Sequence, residues 1–325
     1  MNLTVVDEKW PLLHPFAISR GVKTEAHVVV VELSGGEFRG RGECVPYPRY
    51  GETVKDVVDQ IRSLAADFKN DPDCADVQSM LPAGAARNAV DCALWDLKAK
   101  RAGKRVWDML GQAQPLATVT AQTIGIESVS AMAAQAKNLS TAPLLKIKLG
   151  GDDVLPRVAA VRENAPKARL VIDPNEAWTV DELANYAPEL AGLGVEMIEQ
   201  PVPAGDDVGL LDYTSPVPVC ADEACHSSAD LDGLAGKYDM VNIKLDKTGG
   251  LTEALKLARR ADDLGFSIMV GCMVGTSLAM APAMVIADRA RVVDLDGPLL
   301  LKNDRPDGLD FTGGLIHAPE ARLWG

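Results

Sequence analysis

Lys148, Asp173, Glu199, Asp222 and Lys244 follow one another at intervals of 25, 26, 23 and 22 residues. Each closes a short apolar run, in LLKIK, RLVID, VEMIE, VPVCAD and MVNIK. Three acids brought to one point repel unless a cation neutralises them. Oxygen ligands alone, with no His or Cys among them, select Mg²⁺ over zinc. Asp173, Glu199 and Asp222 are thus candidate ligands for one Mg²⁺ per chain. Any one of them reads equally well as a strand-end acid capping the next helix; the succession of three, flanked by lysines, argues for the metal. A substrate carboxylate drawn to that metal brings its α-carbon near the lysines, and the metal would stabilise the enediolate left by loss of the α-proton. A lysine base needs a lowered pKa, and both the cation and the neighbouring Lys146 disfavour its charged form. A further pair of like charges, Asp294 and Asp296 in RVVDLD, shares one face of its run. A substrate ammonium would neutralise that pair, the alternative being an acid pair that holds a loop.

These residues act together only if the chain folds them to one place. Eight short apolar runs occur after residue 114, at 118–123, 144–148, 169–173, 195–199, 217–222, 240–244, 266–271 and 291–296. Their spacing suits a strand, a helix and two loops. Eight such units close a parallel barrel whose active site lies at the C-terminal ends of the strands. The predicted fold is therefore α/β, a barrel over residues 114–297. A doubly wound open sheet competes, but no glycine-rich phosphate loop follows the first strand. With the runs counted as strands one to eight, Lys148 ends the second and Lys244 the sixth, so the two face each other across the barrel mouth. One would remove the α-proton and the other return it to the opposite face, which is racemase or epimerase chemistry. Asp294 and Asp296 end the eighth strand, across the pocket from the metal. A carboxylate on the metal and an ammonium on this pair are too far apart for one amino acid, whereas a dipeptide spans the gap.

Residues 1–113 read as a separate α+β domain. AHVVVVEL (26–33) is a strand candidate that turns at Ser34–Glu37 into a partner, residues 53–68 have helical spacing, and 85–101 carry the clearest helical stripe, at Ala89, Cys92, Ala93, Leu94 and Leu97. The Gly- and Pro-rich tail, 298–325, is predicted to pack back on this domain. With 33 basic and 46 acidic residues the net charge is −13, which argues against nucleic acid or an anionic membrane as partner. Hydrophobic residues at 47% suffice for a large core. No apolar run is long enough to span a membrane, and no signal peptide is evident at the start. The six scattered cysteines read as reduced thiols, consistent with the cytoplasm. A homo-oligomer is compatible with the sequence and is not specified by it.

Several segments together carry a resemblance. Lys146-x-Lys148, Asp173-Pro174-Asn175, Glu199-Gln200-Pro201, Asp222-Glu223 and NIKLDKTGG (242–250) are similar to the muconate-lactonizing subgroup of the enolase superfamily. Asp294-Leu295-Asp296 resembles the eighth-strand signature of its dipeptide epimerases, in particular those acting on L-Ala-D/L-Glu. The resemblance covers essentially the whole chain. It implies a modified (β/α)7β barrel with an N-terminal capping domain completed by the tail. It also implies Mg²⁺ on Asp173, Glu199 and Asp222, Lys148 and Lys244 as acid/base pair, and Lys146 helping to hold the substrate carboxylate. Asp294 and Asp296 would bind the peptide ammonium. The substrate's distal group would meet a capping-domain loop around residues 16–23, with Arg20 as a candidate partner for a glutamyl carboxylate or else a surface arginine. Salvage of cell-wall peptides is the implied setting. Pro174 stands where many relatives carry a small residue. Lys247 competes with Lys244 for the catalytic role, and Lys244 is preferred because it ends the apolar run. Cycloisomerase or o-succinylbenzoate synthase chemistry is the nearest rival, but those substrates give Asp294 and Asp296 nothing to bind. A non-catalytic metal-binding barrel is a further alternative.

Overall fold

The computed structural model describes all 325 residues. The chain opens with a three-stranded antiparallel sheet, β1 (Asn2–Ile18), β2 (Gly21–Gly35) and β3 (Phe38–Cys44), in the order β1-β2-β3. The valine run of β2 is buried on both faces. Val29, Val31 and Leu33 pack with the helices Val54–Ser63, Cys74–Met80 and Ala85–Ala102, whereas Val28 and Val30 join the core shared with the second half of the chain. That two-sided burial is why the run does not alternate with polar residues. The helix Ala85–Ala102 lies directly on β3 because two glycines admit it. A Cβ at Gly40 would come within 2.2 Å of the Ala93 carbonyl oxygen, and one at Gly42 within 2.1 Å of that of Ala89. The long strand β1 is not anticipated by the sequence reading. It is an edge strand in which Leu12 alone is buried, so no periodic core face marks it.

After β4 (Thr118–Val119) the second half forms an eight-stranded parallel sheet. Its strands are β5 (Gln122–Ile124), β6 (Leu144–Lys148), β7 (Arg169–Asp173), β8 (Val195–Glu199), β9 (Val219–Ala221), β10 (Met240–Ile243), β11 (Ser267–Gly271) and β12 (Val292–Asp294), each bonded to its neighbour in sequence. The first and last strands meet through the Ala121 amide, which donates to the Val293 carbonyl at 2.8 Å, and through the Leu295 amide, which donates to Thr120 Oγ1 at 2.9 Å. Ala121, Leu144, Val171, Met197, Cys220, Met240, Met269 and Val292 form a dry plug inside the barrel, one residue from each strand or its start. The next inward residue on each strand lies two positions further on, and these positions carry the chemistry.

Two features depart from the expected regular alternation. The run 118–123 is divided, with Thr118–Val119 pairing outside the barrel and only Gln122–Ile124 joining it. The connections after β8 and β9 hold a 3₁₀ segment, Val208–Asp212, and a single turn, Leu231–Leu234, in place of full helices. Pro201, Pro203, Gly205 and Gly209 in the first connection, and Gly233 and Gly236 in the second, account for this. The tail touches both halves. Its hairpin, β13 (Phe311–Thr312) and β14 (Leu315–Ile316), pairs with β4. Arg305 reaches Glu43 and Glu8 at 2.7 Å each, and the buried Trp324 indole donates to the Cys92 carbonyl at 2.9 Å. No helix is long and apolar enough to cross a membrane.

Candidate active site

Alternation along the barrel strands turns the plug residues into a polar upper layer. Above Leu144 come Lys146 and Lys148. Above Val171, Met197 and Cys220 come Asp173, Glu199 and Asp222. Above Met240 come Asn242 and Lys244, and above Val292 come Asp294 and Asp296. All of these groups are buried. Lys146, Lys148, Asp222, Lys244, Asp294 and Asp296 line one cavity, roofed by Phe16, Ile18, Arg20 and Lys23 from the β1–β2 hairpin and by Tyr47 and Tyr50.

The charges interlock. Lys148 Nζ bonds Asp173 Oδ2. Lys244 Nζ lies 2.6 Å from Asp222 Oδ2 and 3.9 Å from Glu199. Lys146 is the hub, with its Nζ 2.7 Å from Asp294, 2.5 Å from Glu199 Oε2 and 3.4 Å from Asp173. The contact with Glu199 Oε2 lacks hydrogen-bond geometry, so that oxygen is buried without a hydrogen-bond partner, as is Asp294 Oδ1. Burial, with Asp173 adding its charge, pushes the Glu199 carboxyl up to about 7. Burial and the facing Asp294 push Asp296 up to about 7, although its Oδ2 accepts from the Thr123 amide at 2.7 Å. Burial also acts against Asp222, but Lys244 and Lys247 outweigh it and hold Asp222 well below the carboxylate range.

Lys146 and Lys244 are held in their charged form by the acids beside them. Burial depresses both, but their carboxylate partners outweigh it and push both ammonium groups well above the ordinary lysine range. Lys247 is separated from the cavity. Its buried Nζ is spent on Asp222 Oδ1 at 2.6 Å and on the Asn242 carbonyl at 2.9 Å. Arg20 lines the cavity but is held by Glu223 at 2.7 Å and Glu176 at 3.2 Å.

Two residues of this layer had been quoted only as parts of motifs. Asn242 Nδ2 donates to Glu199 Oε1 at 2.8 Å, in space left by Gly271, where a Cβ would meet Asn242 Oδ1 at 2.7 Å. Its position two residues before Lys244 was the available signal. Gln200, at φ 31°, accepts from the Asp222 amide at 2.8 Å and the Ala224 amide at 3.1 Å, which fixes the exit from β9. No sequence period marks that contact.

The three acids carry an oxygen-only donor set on adjacent strands. As they stand they are not drawn together at ligand distance, because lysine ammonium groups contact each of them. Carboxylate oxygens alone, at the ends of three adjacent strands, are a donor set that a hard divalent cation fits.

Residues 1–111 match the mandelate racemase / muconate lactonizing enzyme N-terminal domain, and residues 130–322 match the enolase C-terminal domain-like family. The chain is 48% identical over 318 residues to the L-Ala-D/L-Glu epimerase of Escherichia coli strain K12, covering 97% of this chain and 99% of that protein. It is 44% identical over 300 residues to an N-acetyl-D-glutamate racemase of Pseudoalteromonas sp, covering 92% and 95%. It also matches the crystal structure of an enolase family member from Agrobacterium tumefaciens, with homology to dipeptide epimerases and with sodium and L-Ala-L-Glu bound. There the TM-score is 0.97 at 49% identity, with 99% of each chain covered.

Proposed function

The chain belongs to the mandelate racemase / muconate lactonizing enzyme branch of the enolase superfamily, and from that premise we propose that it is a Mg²⁺-dependent dipeptide epimerase inverting the α-carbon of a C-terminal glutamyl residue, with L-Ala-D/L-Glu as substrate. One observation carries the reading. Lys148 on β6 and Lys244 just after β10 line the same cavity from strands four apart in the ring of eight, each against an acid of the Asp173–Glu199–Asp222 set. Two bases on opposite walls are what inversion at carbon requires, whereas elimination or ring closure needs one.

In this reading Asp173, Glu199 and Asp222 hold the Mg²⁺. When bound, the cation would replace the lysines as the neutralising charge and act as a Lewis acid on the substrate carboxylate. One of Lys148 and Lys244 takes the α-proton at Nζ, and the other delivers a proton from its Nζ to the opposite face. Asn242 holds Glu199 in orientation, and Gln200 does the same for Asp222. The hairpin roof excludes water while the proton is held. Asp294 and Asp296 bind the peptide ammonium.

The acid pair separates this reading from the N-acetyl-glutamate alternative suggested by the Pseudoalteromonas relative, whose substrate carries no ammonium. Asp294 keeps a buried oxygen without a partner, as a site for a cation would. Asp294→Asn is expected to raise KM for L-Ala-L-Glu about tenfold or more, the worth of a charge-assisted hydrogen bond, and to affect N-acetyl-L-glutamate far less. Steady-state kinetics on the two substrates reads this directly. Equal losses on both, or wild-type preference for the acetylated amino acid, would overturn the dipeptide reading. We assign the enzyme to the cytoplasm, where its six unpaired cysteines stay reduced, and to salvage of cell-wall dipeptides.

A further inference from the structure

The two lysines on opposite walls of the cavity are anchored differently. Lys148 ends β6, and the chain after it bonds only within the barrel. The Leu149 amide donates to the Asp173 carbonyl at 3.1 Å, the Trp178 indole donates to the Gly150 carbonyl at 2.8 Å, and Arg157 holds Asp152. No hydrogen bond of residues 148–153 reaches residues 1–113. Lys244 instead opens the buried single turn Leu245–Thr248, and that turn is docked on the capping domain.

Three buried polar residues of the helix Ala85–Ala102 meet the chain just beyond Lys244. Asn88 Nδ2 donates to Asp246 Oδ1 at 2.8 Å, and the same oxygen accepts from the Val45 amide at 2.9 Å. The Arg87 guanidinium donates to the Thr248 carbonyl at 2.7 Å and to the Gly249 carbonyl at 3.1 Å. Asp91 accepts from the Thr252 amide at 2.9 Å and from its hydroxyl at 2.6 Å. Gly249 and Gly250, at φ 72° and 111°, let the helix approach this closely. A Cβ at Gly249 would stand 2.9 Å from Ala83 Cα, and one at Gly250 would stand 2.5 Å from Asp91 Cβ. Buried groups that are all satisfied hold one arrangement, because each bond left unmade would cost the desolvation of its partner. Asp246 is the link nearest the base, two residues beyond Lys244.

We propose that Asp246 is a positioning residue for Lys244, and that through it the capping domain sets one of the two acid/base lysines and not the other. The proposal rests on the two-lysine epimerase reading and adds an asymmetry to it. Proton transfer at Lys244 depends on the seam between the domains, whereas proton transfer at Lys148 does not.

The test follows α-proton exchange of L-Ala-L-Glu and L-Ala-D-Glu in D₂O with Mg²⁺ by proton NMR. Lys148→Ala protein reports Lys244 alone, and Lys244→Ala protein reports Lys148 alone. Adding Asp246→Ala is expected to slow the Lys244-dependent exchange about tenfold or more, since a displacement of about 1 Å suffices for that. The Lys148-dependent exchange is expected to stay unchanged. Asn88→Ala removes one donor but leaves the Val45 amide in place, and is expected to give a smaller loss on the same arm. Asp246→Asn keeps an acceptor oxygen for both donors and is expected to restore that arm. Thr252→Val breaks the seam eight residues beyond Lys244 and is expected to lower Tm while leaving both exchange rates unchanged. Melting curves show which variants fold; should Asp246→Ala not fold, Asn88→Ala carries the same comparison. Equal losses on both arms, a loss confined to the Lys148 arm, no loss in the folded variants, or an asymmetry produced by Thr252→Val would overturn the assignment while leaving the epimerase reading in place. Wild-type protein that exchanges no α-proton would instead refute the epimerase reading, and this proposal with it.

Discussion

Replacing Lys148 with alanine is expected to end inversion of L-Ala-D/L-Glu while leaving slow α-proton exchange on one diastereomer, and Lys244→Ala to do the same on the other. Each lysine faces the cavity from its own wall. Removing one leaves a base on a single face, which can take a proton and return one only to the side it came from. Loss of an acid/base group costs about 10²- to 10⁴-fold in rate, so inversion should fall by at least that factor in each variant. The complementary pattern is the informative part. A lysine that merely balanced the charge of Asp173 or Asp222 would, when lost, slow both diastereomers together. Proton NMR in D₂O, with each diastereomer supplied separately to each variant, distinguishes the two. Both variants washing out the same diastereomer would refute the two-wall assignment.

Removing divalent cations has the second large expected effect. EDTA is expected to take epimerisation to background, and Mg²⁺ to restore it. Three buried carboxylates end adjacent strands here, with Glu199 raised to about 7 by burial and its neighbours. A ligand bound only by the folded state at ~100 times its Kd stabilises it by ~2.7 kcal/mol. Thermal denaturation should therefore shift upward on adding Mg²⁺, by an amount that saturates. Glu199→Gln removes one charged ligand and should lose both the rate and the thermal shift. Full activity in EDTA, or a Glu199→Gln protein that keeps the Mg²⁺-dependent shift, would contradict the assignment of these acids as ligands.

Much of this site was legible because a barrel repeats one rule eight times. Six of the eight apolar runs end in a charged residue, and alternation within LLKIK and RVVDLD places pairs of like charge inward. The structure brings Lys146, Lys148, Asp173, Glu199, Asp222, Lys244, Asp294 and Asp296 together as that rule requires. Contacts that depend on three-dimensional neighbours rather than period were not legible. Asn242 reaches Glu199 because Gly271 on the adjacent strand has no side chain. Gln200 governs Asp222 from the end of the preceding strand. The high pKa of Lys146 and Lys244 follows from ion pairs that spacing alone does not reveal. The edge strand β1 carries too few buried residues to leave a pattern, although its far end supplies part of the roof. The short connections after β8 and β9 were written in their prolines and glycines, which the regular strand spacing outweighed in the sequence reading.

The most direct test of the central claim is proton NMR of L-Ala-L-Glu incubated with the wild-type protein and Mg²⁺ in D₂O. The account predicts loss of the glutamyl α-proton signal together with the appearance of the L-Ala-D-Glu diastereomer, deuterated at that carbon. Exchange without the second diastereomer would mean one working base and a different overall reaction. An α-proton that persists, with Mg²⁺ saturating and the protein folded, would contradict the assignment of this dipeptide as substrate.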